Sequence, residues 1–278
     1  MSNTLGRAGG FGTTRTPRSI TAGIAAVVGV GLSVASISVA TASPAHAAPG
    51  AATRAFSVDT GFAGPVQKSA TWSGYVVAPR TALTNVAASW KVPPVVCRKT
   101  TAPEAAVFWV GLDGWYDKTV EQAGVEAYCS GTTPVYTAWW EMFPSNHITQ
   151  VFSVRPGDQI SASVAYRSGV FTITVKDLTL RRTSTIEARC ATTTCKRSSA
   201  EWIAESPTYG AQSAYLPPWN PMTFTGALSS TLIDQRSAYI SGFANFAVVM
   251  TGLDGRHAQP GSLLSGGSAF TESWLASQ

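Results

Sequence analysis

The sequence predicts an all-β fold, a sandwich or a barrel, with very little helix. Three observations carry this. From about residue 71 onward, short segments rich in Val, Ile, Thr and aromatics are separated by Gly, Pro and Asp turns. No segment sustains a 3.6-residue apolar period, so long helices have nothing to bury. Strands follow strands without helices between them, which argues against a parallel βαβ sheet.

The chain opens with a leader. Arg7, Arg15 and Arg18 form a positive region, and an uncharged run from Ile20 to Ala40 follows. Ala45-His46-Ala47 then supplies the small residues that a signal peptidase reads. The run is about long enough to cross a membrane. Its Gly, Ser and Thr content and the Ala-x-Ala ending favour a secretory signal instead. Residues 1–47 are therefore expected to be removed on export. Residues 48–69, rich in Ala, Gly and Thr, read as a linker or short propeptide. Residues 70–278 read as one domain, opening at Thr71-Trp72-Ser73-Gly74-Tyr75.

Within that domain, Pro156-Gly157-Asp158 is a turn, and residues 159–166 alternate, with Ile160, Ala162, Val164 and Tyr166 on one face. Arg167-Ser168-Gly169 turns the chain, and Phe171, Ile173 and Val175 mark a returning strand. Residues 255–268 are rich in Gly and Ser and read as a loop before a last strand at 269–275.

Charge excludes one class of function. The 278 residues carry 20 Lys and Arg against 15 Asp and Glu, a net of +5. Three of the cations are the leader arginines, and no acid precedes Asp59, so the exported chain keeps 17 basic against 15 acidic side chains. That balance is too even for a nucleic-acid footprint. No later stretch is apolar enough to span a membrane, so the expectation is a secreted protein, taken as a monomer, with no nucleic-acid or membrane partner.

The four cysteines fit an oxidising compartment. They allow three pairings, and the short loop between Cys190 and Cys195 favours 190–195 with 97–129. No Cys-x-x-Cys is present, and only His147 and His257 lie beyond the leader, so a zinc site is poorly supplied and no metal is called for. A Ser-His-Asp hydrolase lacks its Gly-x-Ser-x-Gly elbow. A thiol enzyme lacks a cysteine outside the expected disulfides. No phosphate-binding or dinucleotide loop occurs, so no cofactor is called for either. Asp59-Thr60-Gly61 is a single aspartic-protease-like triplet where that chemistry needs two.

Carboxylates among aromatics remain. Three segments hold them: Phe108 to Gly114 leading on to Glu121-Gln122-Ala123-Gly124, Tyr136 to Pro144, and Ala200 to Glu205. Period-two geometry puts Trp109 with Asp113 on one face, Thr137, Trp139, Glu141 and Phe143 on another, and Glu201 with Glu205 on a third. Polar and aromatic groups sharing a face suggest a lined groove rather than a dry core.

These segments resemble the glutamic peptidases, or eqolisins. Trp109–Gly114 is similar to the family's Trp-Val-Gly-Ile-Asp-Gly strand, and Gln122–Gly124 to its Gln-x-Gly strand. Tyr136–Pro144 is similar to its Tyr-x-Ala-Trp-Tyr-Glu-x-Tyr-Pro strand, and Ala200–Glu205 to its Ala-Glu-Trp-Ile-Val-Glu strand. Trp72-Ser73-Gly74, Trp90-Lys91-Val92-Pro93 and Met222-Thr223-Phe224-Thr225 resemble further family strands. The likeness covers roughly residues 70–250. It implies a sandwich of two antiparallel seven-stranded sheets, of the concanavalin-like or jelly-roll type. It also implies endopeptidase activity on proteins or peptides, with Gln122 and Glu205 as the catalytic dyad on the concave face. Trp72, Trp109, Asp113, Trp139, Glu141 and Phe143 are the expected substrate-binding set, with Asp113 ordering the strand end near Gln122. A glutamate base can act in acid, where an imidazole would be protonated, so the expected activity leans towards acidic pH.

Two residues depart from the fungal pattern: Thr137 stands where many members have Asp, and Phe143 where they have Tyr. A family cysteine lies near Cys195, but its expected partner near Tyr116 is absent, and Cys190 offers a local one. Two other readings compete. One is a carbohydrate-binding sandwich that stacks sugars on its aromatics. The other is a glycosidase pairing Glu201 or Glu205 with Glu141.

Overall fold

Among the residues described by the computed structural model of the protein (65–191, 195–210, 212–233 and 235–277), eighteen strands and two single 3-10 turns account for the regular structure. The leader, most of the expected linker and the Asp59-Thr60-Gly61 triplet lie outside the described residues.

The first strands are β1 (Val66–Ser69), β2 (Trp72–Val77), β3 (Leu83–Lys91), β4 (Ala105–Leu112) and β5 (Val120–Ser130). Then come β6 (Thr133–Phe143), β7 (Asn146–Ser153), β8 (Gln159–Arg167), β9 (Val170–Asp177) and β10 (Arg182–Ala188). The short strand β11 (Ala200–Glu205) is followed by the small hairpin β12 (Thr208–Tyr209) and β13 (Gln212–Ser213). The chain finishes with β14 (Met222–Thr231), β15 (Ser237–Tyr239), β16 (Asn245–Gly252), β17 (Gly255–Pro260) and β18 (Ala269–Trp274). Single 3-10 turns sit at Ile240–Gly242 and Ser265–Gly267.

The hydrogen-bonded order is β10-β9-β8-β3-β14-β18-β17-β16-β2-β11-β4-β5-β6-β7. This path folds back on itself into two layers. Val86 and Trp90 of β3, Ile160 and Val164 of β8, and Ile173 of β9 share one core with Phe108 and Val110 of β4 and Val125 of β5. The expected β8–β9 hairpin is present, with Ser168-Gly169 at its turn. Both disulfides pair as the sequence favours, Cys97–Cys129 and Cys190–Cys195, with Cα separations of 5.6 and 6.0 Å.

Two expectations are corrected. Residues 255–268 are not all loop: Gly255–Pro260 is β17, which pairs with both β16 and β18 and so joins the two layers into one continuous path. Its sequence, Gly-Arg-His-Ala-Gln-Pro, has no apolar alternation to announce it. Strand β1 occupies Val66–Ser69, at the end of the stretch read as linker, and pairs in parallel with β16.

The strands that carry the Trp72, Trp109, Gln122, Tyr136 and Ala200 motifs lie side by side as β2-β11-β4-β5-β6. Alternation along them gives each a core-facing set and an outward set. On β4, Phe108 and Val110 enter the inter-layer core, while Val107 and Trp109 join a second apolar cluster with Trp72, Trp139, Ile203 and Phe246. One sheet thus carries the inter-layer core on one face and a second, buried aromatic cluster on the other.

Candidate active site

The strand register fixes the plan of that second face. One row runs Glu201, Gly111, Gln122, Glu141 across β11, β4, β5 and β6. The next holds Ile203, Trp109, Gly124 and Trp139. The third holds Trp72, Glu205, Val107, Glu126 and Thr137, taking in β2 as well. Gln122 and Glu205 therefore share a face, on the two strands that flank β4, with Trp109 on the diagonal between them.

The glycines of the motifs are there because of the tryptophan. A Cβ on Gly124 would lie 2.2 Å from the Phe108 carbonyl oxygen and 2.7 Å from the Trp109 Cβ. One on Gly111 would lie 2.9 Å from Trp109 Cζ3 and 3.1 Å from Gln122 Cβ. Both contacts are closer than real side chains tolerate, so glycine is what lets the indole lie down on the sheet. Lying there, it reaches Glu205.

Two short hydrogen bonds hold the polar groups. The Trp109 indole Nε1–H donates to Glu205 Oε2 at 2.7 Å. The Gln122 amide Nε2–H donates to Glu141 Oε2 at 2.8 Å. Gln122, Glu141 and Glu205 are all buried. Around them, Trp72 packs edge-on to Trp109 with ring centroids 5.0 Å apart. Trp115 lies 6.4 Å from Trp72 and 5.0 Å from Phe246. Trp139 belongs to the same cluster, and Phe143 packs against its edge, half-buried at the end of β6.

Asp113 sits apart from this face. It takes a positive φ of 69° directly after β4, which turns its carboxyl into the end of the sheet. There it accepts from the Arg197 and Ser198 backbone N–H groups, both at 2.7 Å. The Ser198 hydroxyl lies 3.2 Å from Asp113 Oδ1 and 2.9 Å from Asp117 Oδ2. A hydroxyl has one hydrogen to give, so Ser198 sits between the two carboxyls and bridges them. Burial first, and then Asp117, raise Asp113 to about 7. Burial also pushes Glu121 and Glu201 well above the carboxylate range, with neighbouring acids adding to the effect in both. These four acids, with Arg197 as the cation that pulls Glu121 down, form a knot at the strand ends beside Gln122.

The structure thus brings Trp72, Trp109, Trp139, Glu141, Gln122 and Glu205 onto one face, sets Phe143 at its margin, and uses Asp113 to tie the ends of β4 and β11. Sequence reading missed Trp115, Phe246, Glu126 and Tyr209. Glu126 had a signal, since it is four residues beyond Gln122 on the same strand and so on the same face. Trp115, in the 113–119 loop, Phe246, near the end of the likeness, and Tyr209, in a separate hairpin, had none. Among the described residues, no group of three or more His, Cys, Asp or Glu side chains is arranged to hold a metal ion, and no helix is long and apolar enough to cross a membrane.

Residues 70–246 match the model of the Peptidase A4 family. Among solved structures, a scytalido-glutamic peptidase with a peptide-based transition-state analogue superposes with a TM-score of 0.62 at 21% identity, over 74% of this chain and 99% of that one. SCP-B, a member of the eqolisin family in complex with the tripeptide Ala-Ile-His, gives 0.59 at 20% identity, over 74% and 99%. Aspergilloglutamic peptidase from Aspergillus niger gives 0.54 at 21% identity, over 62% and 99%. At these identities the likeness establishes a shared fold. No curated protein matches the chain.

Proposed function

Because the chain belongs to the Peptidase A4 family and is a peptidase, we propose that it is a secreted endopeptidase that hydrolyses proteins in acid with Gln122 and Glu205 as its dyad. The observation that carries this is the pairing of each group with a fixed partner on one face. Trp109 anchors Glu205, and Glu141 anchors the Gln122 amide.

The chemistry follows from the donor and acceptor inventory. Glu205, oriented by the Trp109 indole, is a hydrogen-bond acceptor for the attacking water when ionised. Glu205 removes a proton from that water as its oxygen attacks the scissile carbonyl carbon. The Gln122 amide has two N–H groups. One is spent on Glu141, which fixes the amide plane, and the second donates to the oxyanion of the tetrahedral intermediate. Protonated Glu205 then delivers its proton to the amide nitrogen as the C–N bond breaks, which returns the carboxylate. No covalent intermediate forms and no metal takes part in a step. The two disulfides suit an exported protein, and the protonated acid knot suits an acidic medium.

The test is digestion of a denatured protein substrate between about pH 2 and 8 by wild type, Gln122→Ala and Glu205→Gln, each checked for folding. The expected result is acid-optimal cleavage by wild type and near-complete loss in both variants. Equal digestion by all three would remove the dyad, and an optimum above neutrality would remove the acid assignment.

A further inference from the structure

The layer that does not carry the proposed dyad has a groove of its own, where β3 ends and β8 and β14 begin. Alternation sends Trp90, Ile160 and Phe224 into the inter-layer core. It leaves Lys91, Gln159, Thr223 and Thr225 on the outer face, with Lys91 directly opposite Gln159. Beside them Pro93, Pro94, Pro221 and Met222 wall a groove of about 410 Å³, a volume within the range of small-molecule sites. Its frame is fixed by the backbone. Val92 N–H donates to the Asp158 carbonyl at 3.0 Å, Gly157 N–H to the Val92 carbonyl at 2.8 Å, and Val96 N–H to the Pro218 carbonyl at 2.9 Å. Three polar side chains that line the groove, Lys91, Gln159 and Asn220, have no hydrogen bond or ion pair among the described residues. The Thr225 hydroxyl donates to the Ser89 carbonyl at 3.0 Å and keeps its lone pairs to offer.

That inventory selects a ligand class. The Gln159 and Asn220 amides each present donors and an acceptor, Lys91 adds donors, and Thr225 adds an acceptor. A matching ligand both gives and takes hydrogen bonds and turns an apolar face to the prolines and Met222. A neutral sugar does both, through its hydroxyls and its C–H face. An anion would use the donors alone and meet the amide carbonyls and the threonine lone pairs unfavourably. A peptide strand finds no backbone edge, since β3 is paired on both sides, by β8 and β14. A proline-rich peptide needs exposed rings, and the aromatic residue lining the groove, Trp90, is 1% exposed. We propose that this groove is a glycan-binding site, distinct from the cleft, that takes a neutral saccharide and holds the peptidase on glycan-bearing material. The groove and the dyad lie on the outer faces of opposite layers, so both sites can be filled at once. The assignment does not depend on which residues cleave the peptide bond.

The test titrates the purified protein with chitotriose, cellotriose, maltotriose and mannotriose and follows the side-chain amide signals of Gln159 and Asn220 by NMR. At least one of these probes is expected to shift both signals saturably, with a Kd of about 1 mM. Gln159→Ala and Asn220→Ala should each weaken that Kd by about tenfold, the worth of one lost hydrogen-bonding group. Thr225→Trp, whose indole fills the groove, should abolish the shifts. All three variants should keep the wild-type unfolding temperature and proteolytic rate, since none touches the core or the cleft. No shift with any of the four trisaccharides overturns the proposal. So do shifts that survive unchanged in Gln159→Ala and Asn220→Ala, and shifts confined to the Trp72 and Trp115 indole signals, which would put the sugar in the cleft. Tighter binding of succinate than of every trisaccharide would make the groove an anion site and overturn the neutral-sugar assignment.

Discussion

Glu201 and Glu205 stand on the same strand, four residues apart, with side chains on the same face. Their surroundings differ. Glu205 receives an N–H donor, the Trp109 indole, whereas Glu201 is wholly buried, with the Ser199 hydroxyl beside it and Asp113, Asp117 and Glu121 around it. The first has a partner suited to a carboxylate. The second has neighbours that favour a neutral acid. On the proposed dyad, what separates the two acids is the set of groups that meets each, not its strand or its burial. Gln122–Glu141 falls with Glu205, and the Asp113–Asp117–Glu121 knot falls with Glu201.

The sharpest way to break this comparison is to treat the two glutamates alike. Glu205→Gln should lower kcat by about a thousandfold or more, because it removes the proposed general base. Glu201→Gln replaces an acid that burial holds well above the usual carboxylate range and should leave the protein folded and active. Equal losses in steady-state assays would erase the distinction. Gln122→Ala comes next, at about a hundredfold to a thousandfold in kcat, the usual worth of one oxyanion donor.

The knot makes a prediction about pH. Asp113 is raised in the folded protein, so folding favours its protonated form. The stability it contributes is whole below about 4, the unfolded carboxylate value, and is lost as pH rises through about 7. Glu121 and Glu201 shift in the same direction and extend the loss upward. Scanning calorimetry should therefore show Tm falling by about 5 °C or more between pH 4 and 8. Glu121→Gln, which keeps the shape without the charge, should flatten that slope. A Tm that rises over the same interval would contradict the protonated knot. The disulfides bear on stability alone. Breaking Cys190–Cys195, which closes a short loop, should cost about 2 kcal/mol, and breaking Cys97–Cys129 about 4 kcal/mol. Denaturant unfolding of the two cysteine-pair variants measures both.

Much of this is legible in the sequence. Period-two alternation put Trp139 with Glu141 and Glu201 with Glu205, and the register agrees. The same rule misplaced Asp113, since it assumes extended backbone and the chain turns left-handed immediately after β4. Strand β17 was hidden because its side chains do not alternate, and its place is set by the two strands that flank it. The contact of Tyr209 with Glu126 joins residues 83 positions apart through a hairpin that belongs to neither main layer. Local pattern cannot report a meeting of that kind.

The most direct measurement of the central claim is a double-mutant cycle in kcat/KM at acidic pH with Gln122→Ala, Glu205→Gln and the double variant, all verified as folded. If the two side chains work on one water and one carbonyl, the double variant is no slower than the slower single, since residues that act as a unit are lost together. Losses that simply multiply would mean that the two groups act independently, and the dyad would have to be abandoned.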